Sequence, residues 1–385
     1  MESSAATGAA SRPSYLFVDT VRFWSMLGIV ALHAIVAIRS SPAEGVFPSA
    51  LECLFKYGTI GFFLISGFLL GDRMDVSAPR LYLSRRLKAL LAPWIFWFGL
   101  YVLYLVVGDL SHQRLNIASA SSWLHMIWMD LGLACFSTSF WFVPNLALGM
   151  CILLLFSRYL HSVKLGTVLF AVNLIYVANI YGEWFSPQHT SALFAFVSYL
   201  WLGSYVARNF SGFSRFLDSL PTAGLAAFAL LSYVLSVAEV QLLIARHSAD
   251  PFNTLRPCNQ VLSVLVVLLL CKVKVASWPR FVNVRQQTFC IYLVHTFFLR
   301  IAYVVLNHAV GSGVTEGSLP SLSFLLRGSM FVFAYGGSLL VGHLISRSDR
   351  WNWIIGLKSL KKSGQRADNG VAKQIIWGAR TPLMK

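Results

Sequence analysis

The chain has 385 residues, of which 57% are hydrophobic and only 12% charged, and its mean hydropathy is +0.65. A soluble domain of this length would carry about twice that charge, and a β-barrel would need short alternating strands where this chain has long apolar runs; both are excluded. The formal net charge of +16 fits the positive-inside rule plus a basic tail. No segment outside the apolar runs is long enough to fold a basic face for nucleic acid. The sequence predicts an all-α, polytopic transmembrane helical bundle.

In chain order, residues 1–14 form a short polar tail. The first apolar run follows from Tyr15 and lacks an A-x-A-like cleavage site, so it reads as a retained span rather than a signal peptide. About ten spans are expected, near 15–37, 50–71, 90–108, 140–160, 164–182, 190–208, 222–244, 257–275, 287–309 and 321–345. A further apolar stretch, Ser121 to Phe136, is broken by His125 and Asp130 and reads as a re-entrant or interfacial helix. The membrane domain covers 15–346. Residues 347–385 form a basic tail in which Trp351 and Trp353 precede Lys358, Lys361 and Lys362, a pattern suited to an interfacial helix on anionic lipid. The six cysteines (Cys53, Cys135, Cys151, Cys258, Cys271 and Cys290) lie in or beside apolar runs, with no zinc, redox or disulfide spacing.

Lysine and arginine set the orientation. Arg73, Arg80, Arg85, Arg86 and Lys88 follow span two; Arg158 and Lys164 follow span four; Arg208 and Arg215 follow span six; Lys272, Lys274, Arg280 and Arg285 follow span eight. The alternate connections are poorer in positive charge and hold Glu44, Asp109, Glu183, Asp250 and Glu316. Both termini are therefore expected in the cytoplasm, in a multi-pass protein of the plasma (inner) membrane.

The first span carries Asp19, Arg22 and His33. At about 100° per residue, Arg22 and His33 fall within roughly 20° of each other, three turns apart, and Asp19 joins the stripe at i−3 from the arginine. Ionisable groups at membrane depth usually face a bundle interior or a water-filled cavity. The orientation puts Asp19 and Arg22 near the cytoplasmic mouth and His33 roughly 16 Å deeper. This is the layout of a reaction chamber fed from the cytoplasm.

Four motifs in order resemble the membrane-bound acyltransferase-3 family, which includes O-acetylases of bacterial surface polysaccharides. Arg22 and His33, with ten residues between them, are similar to its R-x10-H signature. Phe62-Phe63-Leu-Ile-Ser66-Gly67-Phe68 resembles its F-F-x-x-S-G-[FY] segment. Arg85-Arg86-Leu-Lys88 ahead of Pro93 resembles its basic stretch, with Ala89 where an arginine is common. Cys290-Ile-Tyr292-Leu-Val-His295 resembles its I-Y-L-x-H segment. Phe140-Trp141-Phe142-Val143 is similar to its W-[FY]-L entry, with Val143 in place of leucine. The resemblance runs from Tyr15 to Ser346.

It implies transfer of an acyl group, most simply acetyl, from cytoplasmic acyl-CoA to a hydroxyl of a cell-surface or lipid-linked carbohydrate, with no metal. His33 would be the general base for the acceptor hydroxyl, or a covalent acyl carrier if donor and acceptor cannot meet. Arg22, held by Asp19, would face the donor's phosphates or thioester carbonyl. Arg85, Arg86 and Lys88 would bind the phosphates of coenzyme A, and Ser66 would add a hydroxyl. Trp141, Asn145, Tyr292 and His295 would contact the acceptor. Each has a plainer reading: a hydrogen-bonded core histidine, a helix-end ion pair, topogenic positive charges, glycine-mediated packing beside Ser66, and an aromatic belt formed by Trp123, Trp128, Trp141 and Trp184. A secondary transporter for a polar or lipid-linked solute is the alternative from another class, although the inverted repeats many of them carry are not evident.

Overall fold

The computed structural model describes residues 15–38, 44–73, 79–111, 120–310 and 320–357. The tail 1–14, the loop holding Glu316, and the tail lysines Lys358, Lys361 and Lys362 lie outside these residues. Among the described residues every regular element is helical. The helices are α1 Leu16–Val36, α2 Phe47–Phe55, α3 Gly58–Arg73, α4 Pro79–Ser111, α5 Ala120–Phe136, α6 Phe142–Leu155, α7 Val163–Gly182, α8 Val197–Arg208, α9 Phe210–Ser219, α10 Thr222–Ala245, α11 Pro257–Cys271, α12 Val284–Val310 and α13 Pro320–Ser346.

Apolar on almost every side, α1 is buried along most of its length, as expected for the central helix of a bundle. It packs against α2, α3, α11, α12 and α13. Small residues let α3 approach it. A Cβ on Gly58 would lie 2.6 Å from the Ser25 carbonyl oxygen, and one on Gly61 would lie 2.6 Å from Ser25 Oγ. The α3–α8 contact is closer still. A Cβ on Gly67 would sit 2.0 Å from the Leu200 carbonyl oxygen, and one on Gly203 would sit 2.0 Å from that of Leu64. The Ser66-Gly67 pair thus does the packing through its glycine, as small residues do between membrane helices.

Among the described residues seven helical segments, with α2 and α3 taken together over Phe47–Asp72, are long and apolar enough to cross a membrane, or eight if the bent pair α5–α6 is one span. The expectation of ten spans included 140–160, 190–208 and 257–275, which fall on helices of 14, 12 and 15 residues. At about 1.5 Å per residue these are shorter than a hydrocarbon core of about 30 Å. The physical reason is plainest at α8: Val197 to Leu200 and Ser204 are buried inside protein, so its length is not set by lipid. The apolar stretch Ser121–Phe136 is helical as α5, and it meets the next helical segment at 75°. Thr138 stabilises that corner: its hydroxyl donates to the Ala134 carbonyl at 2.6 Å and accepts from the Phe140 amide at 3.2 Å.

At the basic end, the short 3-10 turn Asn352–Ile355 docks against α4, α12 and α13, with the Trp97 indole donating to the Ile354 carbonyl at 2.9 Å. Residues 352–355, placed above in the tail, thus pack against these helices. Trp351 and Trp353 are exposed, while Ile354 and Ile355 are buried.

Candidate active site

Two cavities lie along the polar stripe of α1. The first, of about 210 Å³, opens at the basic end between α1, α3, α4, α6, α12 and the 352–357 turn. Its walls carry three arginines, Arg22, Arg86 and Arg285, with Ser66, Gln286 and Thr288. Apolar side chains surround them, among them Met26, Ile29, Phe62, Leu90, Phe142 and Phe289, and Tyr292 lies at the inner limit. Asp19 organises two of the arginines: Arg22 Nη1 donates to Oδ1 at 3.0 Å, and Arg285 Nε and Nη2 donate to Oδ2 at 2.8 and 2.7 Å. One buried carboxylate thus fixes two guanidiniums from helices distant in sequence. Both Arg285 bonds are charge-assisted and fall on one carboxylate oxygen.

The second cavity, of about 250 Å³, is on the far side of Tyr292. His33 lines it together with Tyr101, Thr296, Arg300, Tyr303 and the corner residues Ser137, Thr138 and Ser139. The bend between α5 and α6 therefore brings Ser137, Thr138 and Ser139 to the wall of the cavity that His33 lines.

A thin partition separates the two. On α1, Ile29 lines the first cavity and His33 the second, one helical turn or about 6 Å apart. The Tyr292 hydroxyl crosses the partition and donates to the Ser139 carbonyl at 2.7 Å, while Ser139 Oγ and Thr296 Oγ1 lie 2.8 Å apart. A single chamber running from Arg22 to His33 was the expectation. The structure divides it, because Ile29, Phe142, Val143 and Tyr292 fill the intervening layer.

Within the partition His295 is fully buried. Its Nδ1 lies 2.9 and 2.8 Å from the carbonyl oxygens of Ile291 and Tyr292. Carbonyls only accept, so Nδ1 carries the proton and Nε2 of the neutral ring is left as an acceptor. Nε2 has no hydrogen-bond partner among the described residues, and the ring centroid is 5.3 Å from that of His33.

The remaining expected residues divide. Arg86 faces the first cavity, whereas Arg85 and Lys88 are exposed and do not line it; Lys88 borders a separate open groove on α4 with Arg80. Trp141 and Asn145 are on neither cavity wall. Trp141 packs in the core with Phe196, its ring edge-on to His189 at 5.5 Å between centroids. Asn145 is fully buried, and both its side-chain polar atoms lack partners among the described residues. Trp123, Trp128 and Trp184 are exposed, as an aromatic belt requires.

Sequence reasoning missed Arg285, which it read as a topogenic charge, and it missed Arg300. It also missed a cluster near the His33 end. There His189 Nδ1 is 2.7 Å from Asp250 Oδ2, and Lys56 pairs with Glu52 at 3.3 Å. The one available signal was a lysine and a glutamate four residues apart in an apolar helix.

Residues 15–347 match the family model described as an acyltransferase domain, Acyl_transf_3. The chain belongs to the acyltransferase-3 family. No curated protein and no solved structure matches it. An acyltransferase-3 protein with this set of apolar helices is a multi-pass membrane acyltransferase, which sets the transporter alternative aside. Ala89 and Val143, the two departures from the acyltransferase-3 motifs, both line the first cavity.

Proposed function

We propose that this acyltransferase takes its acyl group, most simply acetyl, from cytoplasmic acyl-CoA bound at the arginine-lined cavity. It passes the group to a hydroxyl of a cell-surface or lipid-linked carbohydrate held in the cavity of His33. The observation that carries this reading is the α1 stripe itself: Arg22 opens on one cavity and His33 on the other, one thin layer apart. Coenzyme A is a polyanion with a slender apolar arm. Arg22, Arg86 and Arg285 suit its phosphates, and the apolar wall running to Tyr292 suits the arm. Both termini would lie in the cytoplasm, and the membrane would be the plasma (inner) membrane.

In the chemical step His33 takes the proton of the acceptor hydroxyl as that oxygen attacks the thioester carbonyl. The C–S bond breaks, coenzyme A leaves as the thiolate, and the proton returns from His33 to sulfur. His295, whose Nε2 has no partner among the described residues and whose ring centroid is 5.3 Å from that of His33, would support this by accepting a hydrogen bond from that imidazole after a small ring rotation, fixing its tautomer.

The partition favours a second form of the same reaction, in which His33 carries the acyl group between cavities so that donor and acceptor never share a space. Trp141 and Asn145 would then act on the acceptor only through the core they stabilise, and Arg85 and Lys88 on the donor only at long range.

The test is purified protein in nanodiscs with radiolabelled acetyl-CoA and candidate glycans. Acceptor-dependent label transfer is expected, and His33→Ala should abolish it while the thermal shift with acetyl-CoA persists. Acylation retained in that variant would remove the histidine from the mechanism.

A further inference from the structure

Arginines near membrane depth in this chain are matched to carboxylates. Arg285 meets Asp19 at 2.7 Å, Arg256 meets Glu239 at 3.2 Å, and the buried Arg327 meets Glu44. Arg300 is different. It stands in the middle of α12, fifteen residues beyond Arg285, where a charge is costly in an apolar helix. Its Nε reaches only the Tyr104 hydroxyl, at 3.4 Å, and its Cζ lies 5.8 Å from the centre of the Tyr303 ring. No carboxylate lies within ion-pair distance of it among the described residues. The guanidinium is exposed on the wall of the His33 cavity.

Its position along α12 relates it to the chemistry. Thr296, whose hydroxyl meets Ser139 beside His33, is one turn below Arg300, or about 6 Å along the axis. That spacing is of the order of one sugar ring. Tyr101, Tyr303 and Ser137 line the same cavity.

We propose that this cavity selects an anionic acceptor. Arg300 binds a carboxylate or phosphate on the sugar being acylated or on its immediate neighbour, and so presents the accepting hydroxyl to His33. The substrate supplies the counter-charge, and guanidinium forks bind both groups bidentately. The proposal rests on the acyl-transfer reading above for the role of the site, but the anion site itself is measurable without turnover.

The experiment uses full-length protein in nanodiscs and three probes: methyl glucoside, methyl glucuronoside and glucose 6-phosphate. Equilibrium binding of each is measured at low and high salt, alongside acyl transfer from acetyl-CoA. At least ten-fold tighter binding of a charged probe than of the neutral one is expected, weakening with salt; which charged probe wins separates carboxylate from phosphate. Arg300→Gln should erase the preference while leaving methyl glucoside binding unchanged, and Arg300→Lys should keep part of it. Equal binding of all three probes, no binding of the charged ones, or a preference that survives Arg300→Gln would each overturn the proposal. Charge-selective binding without transfer to any probe would sustain the anion site and count against acylation there.

Discussion

The cavity at the basic end is walled by three arginines set among apolar side chains, whereas the one beyond Tyr292 has His33, a group of hydroxyls and Arg300. Charge is concentrated where a polyanionic donor would dock, and proton-transfer capacity is concentrated where an alcohol would react. The difference teaches that the α1 stripe is not one polar channel. It opens on two differently lined cavities joined at a layer about one helical turn thick, with α4 and α12 contributing to both.

Substitutions that affect one cavity and spare the other test that division. The largest effect is expected at His33. His33→Ala should lower turnover by about 10²–10⁴-fold, the usual contribution of a general base, with acetyl-CoA affinity unchanged in a calorimetric titration. Next comes the arginine-lined cavity. Arg86→Gln should weaken acetyl-CoA binding about 10–100-fold, the weight of one charged hydrogen bond of about 1.5–3 kcal/mol. Arg85→Gln, on the exposed face of the same helix, should leave it nearly unchanged. Equal losses in the two would mean that the positive charge acts only as a diffuse field.

The partition comes third. Tyr292→Phe removes the hydroxyl bound to the Ser139 carbonyl, which keeps the Phe142 amide as a donor, at a cost of about 0.5–1.5 kcal/mol. Release of free coenzyme A without an acceptor should rise several-fold in a thiol assay, because water reaches the donor through the loosened layer. The smallest effect concerns the cluster beside the second cavity. Burial alone would push the Asp250 carboxyl up, but the charge and hydrogen bonds of His189, and the charge of Lys56, hold it below its ordinary value of 3.8. A depressed carboxyl stabilises the fold above its ordinary value and loses that contribution as pH falls through the folded one. The Tm advantage of the wild type over Asp250→Asn should therefore be steady near neutrality and shrink as pH drops below about 4.

Much of the site was legible in the sequence because it is local. Arg22 and His33 share a face of one helix, Asp19 is one turn from Arg22, and Ser66, Arg86 and Tyr292 arrive through short motifs. Arg85 and Lys88 illustrate the limit of a motif: of its three cations only Arg86 lines the cavity, while the other two are exposed. Arg285 forks onto a carboxylate 266 positions away, and His189 finds Asp250 across 61. Pairings of that range leave no local trace. The helices too short to span were likewise hidden, because an apolar run reads the same whether lipid or protein covers it. The partition was hidden for a similar reason, since a stripe on one helix says nothing of what the neighbouring helices insert beside it.

The glycine contact between α3 and α8 bears on how the molecule is made. Gly67 and Gly203 lock two segments whose partners lie on opposite sides of a long intervening stretch, and α8 ends only after more than half of the chain. A ribosome feeding this protein into the bilayer delivers α1 to α7 before the groove of α3 can be filled. Until then α3, which packs on α1, lacks its own permanent backing, so assembly of a working enzyme is a late, post-insertion event, and truncations that stop short of residue 204 should yield inserted but inactive intermediates.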